Sequence, residues 1–259
     1  MVTLLLTFSF LTGLAAGSFA NVIIHRVPRR ESIVFPGSHC PLCGEPIPWY
    51  LNLPVLSYLL LRGHCTRCKG PISARYPLVE ALMAALFLAC AWIWGFKVDT
   101  LASCLFCLLC VSLGVIDLEH QLLPDRLTYP GILMGLGFCP FVSWTTWQSS
   151  LVGAAAGASF PALLILVYAL FKIEAMGWGD VKFLAMVGAF LGWKSLLLCL
   201  LWGAIAGSLI GGIYLLATGK GRRTPLPFGT FLAAAAVAAL FWGPAVWEWY
   251  MKLVLPQQT

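Results

Sequence analysis

Two aspartates and four cysteines have the types and spacing to do chemistry. Asp117 lies in Gly114-Val-Ile-Asp-Leu-Glu-His-Gln-Leu-Leu-Pro-Asp125 and Asp180 in Gly177-Trp-Gly-Asp-Val-Lys182, each where an apolar stretch meets a loop. A carboxylate at a membrane edge is costly to place unless it has a partner or a task. Two of them brought together cannot both ionise easily, so they share a proton. The ionised member can take a proton from water while the protonated one donates to a carbonyl, which is the acid–base pair of an aspartic protease. The titration belongs to the pair and does not assign the roles. Taken singly, each aspartate also fits a plain boundary residue that caps a helix or pairs with Arg126 or Lys182.

The cysteines form two knuckles, Cys40-Pro-Leu-Cys43 and Cys65-Thr-Arg-Cys68, separated by 21 residues. Four thiolates at that spacing close a tetrahedral zinc site with no open position, so the metal would be structural. The other reading, two disulfides, conflicts with a reducing cytoplasm. The remaining cysteines, Cys90, Cys104, Cys107, Cys110, Cys139 and Cys199, fall in apolar stretches and read as small hydrophobes.

The elements that must position these groups are membrane helices. The chain is 60% apolar and only 10% charged, with mean hydropathy +0.89, against about 25% charged residues in soluble domains. Spans of about 20 apolar residues are expected at 3–24, 77–96, 100–117, 127–146, 150–171, 181–194, 196–217 and 228–250. The first has Arg26, Arg29 and Arg30 behind it and no basic residue in front, the reverse of a cleaved signal. With the N-terminus outside, only Lys97, Lys194 and Lys252 of the sixteen Lys and Arg fall outside. That is the positive-inside pattern, with both termini facing away from the cytoplasm. The basic bias therefore reports topology, and no basic soluble face with interleaved aromatics speaks for nucleic acid.

The expected architecture is an all-α polytopic membrane protein of about eight transmembrane helices. Residues 1–24 form the first helix, 25–76 a small cytoplasmic zinc-ribbon-like loop domain, and 77–259 the membrane core. Trp144, Trp147, Trp247, Trp249 and Tyr250 read as interfacial anchors. Gly153-Ala-Ala-Ala-Gly157 and Gly203-Ala-Ile-Ala-Gly207 have the small-xxx-small spacing of close helix packing. Asp117, Glu119, Asp125, Glu174 and Asp180 gather on the inside edge, and Gly177 and Gly179 leave room for a substrate strand beside Asp180.

With these motifs in order, the chain resembles the type IV prepilin peptidases, bacterial members of the GxGD family of intramembrane aspartyl proteases. The resemblance runs from Gly17-Ser-Phe-Ala-Asn-Val-Ile-Ile-His-Arg-Val-Pro28 through the two cysteine pairs, Asn52-Leu-Pro-Val-Leu-Ser-Tyr58 and Arg75-Tyr-Pro-Leu-Val-Glu80 to the two aspartate blocks. It implies that Asp117 and Asp180 are catalytic and that Asp125 is an acidic neighbour. It also implies cleavage of the short basic leader of prepilins and pseudopilins after a glycine, at the cytoplasmic face. Members with this cysteine-bearing loop commonly N-methylate the new N-terminus with S-adenosylmethionine. No glycine-rich dinucleotide fingerprint marks that activity in the sequence. Its site is to be sought around Asn21, Arg26 and Glu80, although Glu80 also fits a buried acid paired with Arg75, and Asn21 and Arg26 fit residues that cap and anchor the first helix. Ala20 and Trp178 stand where leucine and tyrosine are more usual, and neither change removes a catalytic group. The competing class is a membrane scaffold or transporter whose zinc ribbon docks a partner and which has no protease activity. Catalytic zinc is disfavoured by the closed four-thiolate set and the lack of a His-Glu-x-x-His helix.

Overall fold

The computed structural model describes residues 2–172, 176–219 and 226–254. Glu174, Lys220, Arg222 and Arg223, assigned above to the inside, lie outside the described residues. The helices are α1 (Val2–Arg26), α2 (Leu56–Leu60), α3 (Arg75–Trp94), α4 (Val98–His120), α5 (Asp125–Phe138), α6 (Trp147–Leu170), α7 (Trp178–Thr218) and α8 (Phe228–Val254). Six of them, α1, α3, α4, α6, α7 and α8, are long and apolar enough to cross a membrane. The chain is a multi-pass, all-helical membrane protein. It divides into two compact units, Met1–Ser112 and Leu113–Thr259, the division falling within α4.

In the first unit, α1 and α3 pack through glycines. A Cβ on Gly13 would come 2.7 Å from Ala84 Cα, and one on Gly17 would come 2.5 Å from Glu80 Cα. Small residues at this four-residue spacing let the two backbones touch, which supplies the dispersion contact that membrane helices associate by. Between these helices runs the polar segment with the cysteines.

In the second unit, α7 is a hairpin. Its 41 residues would measure about 60 Å as one rod, yet Gly192 breaks the helix with φ 77° and ψ 174°. The neighbours show the chain doubling back there. Gly179, near the start of α7, packs on Leu123, which also packs on Gly229 at the start of α8. Past the break, Ser195 lies against Gly243 near the far end of α8, and Gly207 returns to Phe228 at its start. The expected spans 181–194 and 196–217 are therefore two arms of one continuous element. A positive φ and the nearness of Ser149 and Thr145 side chains both require glycine at the turn. Carbonyls that lose their helical partners at the break find others: Phe190 accepts from Trp144 Nε1 at 3.0 Å and Ala189 from the Ser150 hydroxyl. Trp144 thus secures this turn in addition to its expected place at an interface.

α6 packs antiparallel on the first arm through Gly153, Gly157 and Gly188, with a Cβ on Gly153 falling 2.6 Å from the Gly188 carbonyl. The small-xxx-small reading of residues 153–157 holds, and its partner is this arm. Gly203 and Gly207 meet Leu232, Phe228 and Phe231 of α8. The expected span 127–146 is shorter than anticipated: α5 ends at Phe138 and a 3-10 turn follows over Cys139–Phe141. Pro140 has no N–H to continue the helix. At the hairpin end, Trp193 meets Trp247 edge-on at 5.5 Å, with Lys194 Nζ 5.4 Å from the Trp247 ring.

Candidate functional site

The second unit brings Asp117 and Asp180 close to one another. Asp117 sits one turn before the end of α4, and Asp180 in the first turn of α7, which begins at Trp178, before the expected span start at 181. Both are buried, at 6% and 8% exposure. Asp180 lies within reach of the Asp117 charge. The Leu123 side chain packs on both Gly179 and Gly229, 2.9 Å from a Cβ placed on the first and 3.1 Å from one placed on the second.

Each carboxylate is held by a donor from a helix start. Thr230 donates to Asp117 Oδ2 through its backbone N–H at 2.7 Å and its hydroxyl at 3.2 Å; the same hydroxyl lies 2.9 Å from the Gly114 carbonyl. These contacts tie the first turn of α8 to the last turns of α4. Gly177 N–H donates to Asp180 Oδ2 at 3.3 Å, the reach-back of a third helical residue to the residue before its helix. The helix-capping reading of Asp180 is therefore correct as far as it goes, and it also fixes the carboxylate's direction.

The pairing alternative fares differently. Lys182 Nζ contacts Asp125 Oδ1 at 2.6 Å and lies 5.2 Å from the Tyr129 ring. The nearest sequence candidate for neutralising Asp180 is thereby engaged by the exposed Asp125.

Gly229 and Thr230 are site residues that the sequence reading missed. Gly229 packs so closely that a Cβ would stand 2.9 Å from Asp117 Cγ. The available signal was Pro227-Phe-Gly-Thr230, a proline and a glycine directly opening an apolar span.

In the first unit the four thiols converge. Sγ atoms of Cys40, Cys43, Cys65 and Cys68 all lie within 4.8 Å of one another, and Cys40 and Cys68 are 3.9 Å apart. A tetrahedral zinc with bonds of about 2.3 Å needs sulfurs roughly 3.8 Å apart, so this donor set fits a metal ion. All ten cysteines are free thiols, against the two-disulfide reading, and the six in apolar stretches are buried.

The two knuckles share one backbone pattern. Cys40 N–H bonds the Glu45 carbonyl at 2.9 Å and Cys65 N–H that of Gly70 at 2.9 Å. His39 bridges Pro46 as His64 bridges Pro71. Gly44 at φ 71° and Lys69 at φ 58° take the left-handed turn at equivalent positions. Arg67 joins the knuckles by a 2.7 Å contact with Glu45. N–H groups of Cys68 and then Arg67 beside the Cys65 sulfur hold its thiol down at about 6, toward the thiolate that ligates metals.

Comparison with known proteins shows the family. A family model described as the bacterial peptidase A24 N-terminal domain matches residues 11–94, and one described as the type IV leader peptidase family matches residues 104–212. A prepilin leader peptidase/N-methyltransferase of Myxococcus xanthus is 44% identical over 219 residues, covering 84% of this chain and 65% of that protein. Proteins of the same name from Aeromonas hydrophila and Pseudomonas putida are 39% and 37% identical, covering 93% and 96% of this chain and 92% and 94% of theirs. No solved structure matches the chain.

Proposed function

Because the chain belongs to the type IV leader peptidase family, we propose that it removes the short basic leader from prepilins and pseudopilins and then N-methylates the new N-terminus. The catalytic pair in this reading is Asp117 and Asp180. The observation that carries it is their burial near one another, each oriented by a separate helix start, with Lys182 engaged elsewhere.

The chemistry follows from the geometry. The ionised member of the pair takes a proton from a water molecule, whose oxygen adds to the scissile carbonyl. The protonated member donates to the carbonyl oxygen, giving a tetrahedral diol. The C–N bond then breaks as the aspartate that took the water's proton passes it to the amine nitrogen, and the other regains a proton from a diol hydroxyl. This leaves the acid product and the free amine. Thr230 and Gly177 keep the two carboxyl groups from rotating away, and the missing side chain of Gly179 makes room for Leu123.

Cys40, Cys43, Cys65 and Cys68 hold zinc in this reading, as a staple for the loop domain of residues 25–76. A bound zinc with four thiolates supplies folding energy and no open coordination position. S-adenosylmethionine is the methyl donor. The chain lies in the bacterial inner membrane with both termini outside and the aspartates and thiol loop on the cytoplasmic side. The scaffold or transporter alternative is not favoured, since relatives spanning nearly the whole chain carry the peptidase name.

The test is to incubate detergent-solubilised protein with a prepilin, with and without S-adenosylmethionine, and weigh the product. Loss of the leader mass is expected in both cases, and gain of one methyl only with the donor. An uncut prepilin would overturn the peptidase reading, and a cut but unmethylated product would overturn the transferase reading alone.

A further inference from the structure

The stretch between the two knuckles contains a helix whose apolar side faces outward. In α2, Leu56, Leu59 and Leu60 are 57%, 64% and 80% exposed, while Ser57 is buried. The three leucines stand at i, i+3 and i+4, which is one face of a helix. The other side is turned to the polar segment itself. There the Ser57 hydroxyl accepts the Leu53 N–H at 3.1 Å, and Tyr58 lies over Gly63, 3.1 Å from a Cβ placed on it. A surface helix in water carries the reverse pattern, apolar inward and polar outward.

The depth of α2 says what covers that face. α1 and α3 run antiparallel in register: Gly13 meets Ala84, Gly17 meets Glu80, and Asn21 donates to the Tyr76 carbonyl at 3.1 Å. The 20 residues of α3 measure about 30 Å, the thickness of a hydrocarbon layer of about 30 Å. Arg75, its first residue, therefore stands near the edge of that layer. Glu80 is farther in by about 7 Å, and it accepts the Val55 N–H at 2.7 Å. That bond fastens the residue before α2 alongside the membrane-spanning part of α3. Val55 is held there at φ 61°, an outlier for a β-branched residue. Near this level α3 itself turns Leu78 and Leu82 outward. α2 thus starts level with its spanning neighbours and not beyond their ends.

Charge agrees with depth. Residues 25–76 carry seven Arg and Lys against two acids, Glu31 and Glu45, and Glu45 is engaged by Arg67. Arg62, two residues after Leu60, is exposed, and a guanidinium at such a place reaches phosphate while its apolar neighbours stay in the acyl layer. We propose that α2 is an interfacial helix, its leucine face lying in the acyl chains of the leaflet that α1 and α3 cross, with Arg62 at the anionic headgroups. The polar segment is then held to the membrane at a third point besides its two ends. The 21 residues between the knuckles have a use in this arrangement, since they let α2 reach the leaflet while the four thiols converge. The proposal uses only the membrane placement of α1 and α3 and stands apart from the peptidase reading.

The test is photo-crosslinking of the full chain in vesicles of phosphatidylcholine and phosphatidylglycerol. Leu60→benzoylphenylalanine puts the probe at the most exposed of the three leucines. Illumination should add the mass of one phospholipid to the peptide that carries residue 60. A product joined to a second copy of the chain, or to prepilin when it is added, would show that protein covers this face and would overturn the proposal. So would a peptide that gains no lipid. A second variant, Leu59→Asn with Leu60→Asn, keeps the Val55 and Ser57 contacts and removes the apolar face. Amide hydrogen exchange over residues 53–61 should then quicken about tenfold in the same vesicles, with exchange in α3 unchanged. Equal exchange in variant and wild type would overturn the proposal. Neither readout uses prepilin cleavage, so a lipid adduct on a chain that cuts nothing would uphold the place of α2 and overturn only the peptidase reading.

Discussion

In the thiol loop, four side chains converge from a polar segment whose α-helix, α2, is five residues long, and two of the four, Cys43 and Cys68, are exposed. In the aspartate pocket, two side chains 63 residues apart converge from the ends of long helices, and both are buried. The thiols are set by short-range knuckle hydrogen bonds, and in the proposed reading a bound metal would supply the rest of their order. The aspartates are placed by glycine-mediated contact and by hydrogen bonds from Thr230 and Gly177, so their order comes from the fold. In that reading one site leans on its ligand, and the other is set by helix packing.

The sharpest way to break that contrast is to remove a carboxyl group without disturbing the packing. Asp117→Asn and Asp180→Asn should each cut prepilin cleavage by about 10⁴-fold while the protein still accumulates in the membrane, as read by product mass and immunoblot. Substantial cleavage by either variant would remove that residue from the pair.

Next in size is Gly229→Ala. The added methyl meets Asp117 Cγ at 2.9 Å, and a displacement on the order of an ångström at a reacting group costs about 100-fold. The loss should appear in kcat. Thr230→Val is milder, because the backbone N–H remains and only the hydroxyl is lost; a fall of roughly tenfold is expected from loosened support of one carboxylate. If Thr230→Val proved as damaging as Gly229→Ala, the hydroxyl would have a direct part in the chemistry.

The smallest effect on cleavage should come from stripping metal. A chelator under reducing conditions should expose residues 25–76 to trypsin while cleavage of a prepilin changes by less than about twofold, within the scatter expected for independent sites. Parallel loss of both would show that the aspartate pocket also depends on the loop.

The two sites differ in how far they could be read from the residues. The convergence of the four thiols was legible, since paired knuckles are short-range patterns and ligand spacing is local. The nearness of the two aspartates was legible in their places at span edges on one side of the membrane. Their support was not, because Gly229 and Thr230 lie more than a hundred residues from Asp117 and look like an ordinary helix start. The hairpin in α7 was seen as two spans but not as one element, since a single glycine in an apolar run does not declare its φ. The early end of α5 was foreshadowed by Pro140 and overruled by continued hydrophobicity up to Val142.

That short α5 has a partner in the first arm of α7, Trp178 to Leu191, and each has fourteen residues. At about 1.5 Å per residue they are near 21 Å long, against a hydrocarbon layer of about 30 Å. They pack on one another, Gly135 against Phe190, and Asp180 sits at the beginning of the second. Local thinning of the bilayer is one way to accommodate two such helices, and it would bring the headgroup layer and its water toward Asp180.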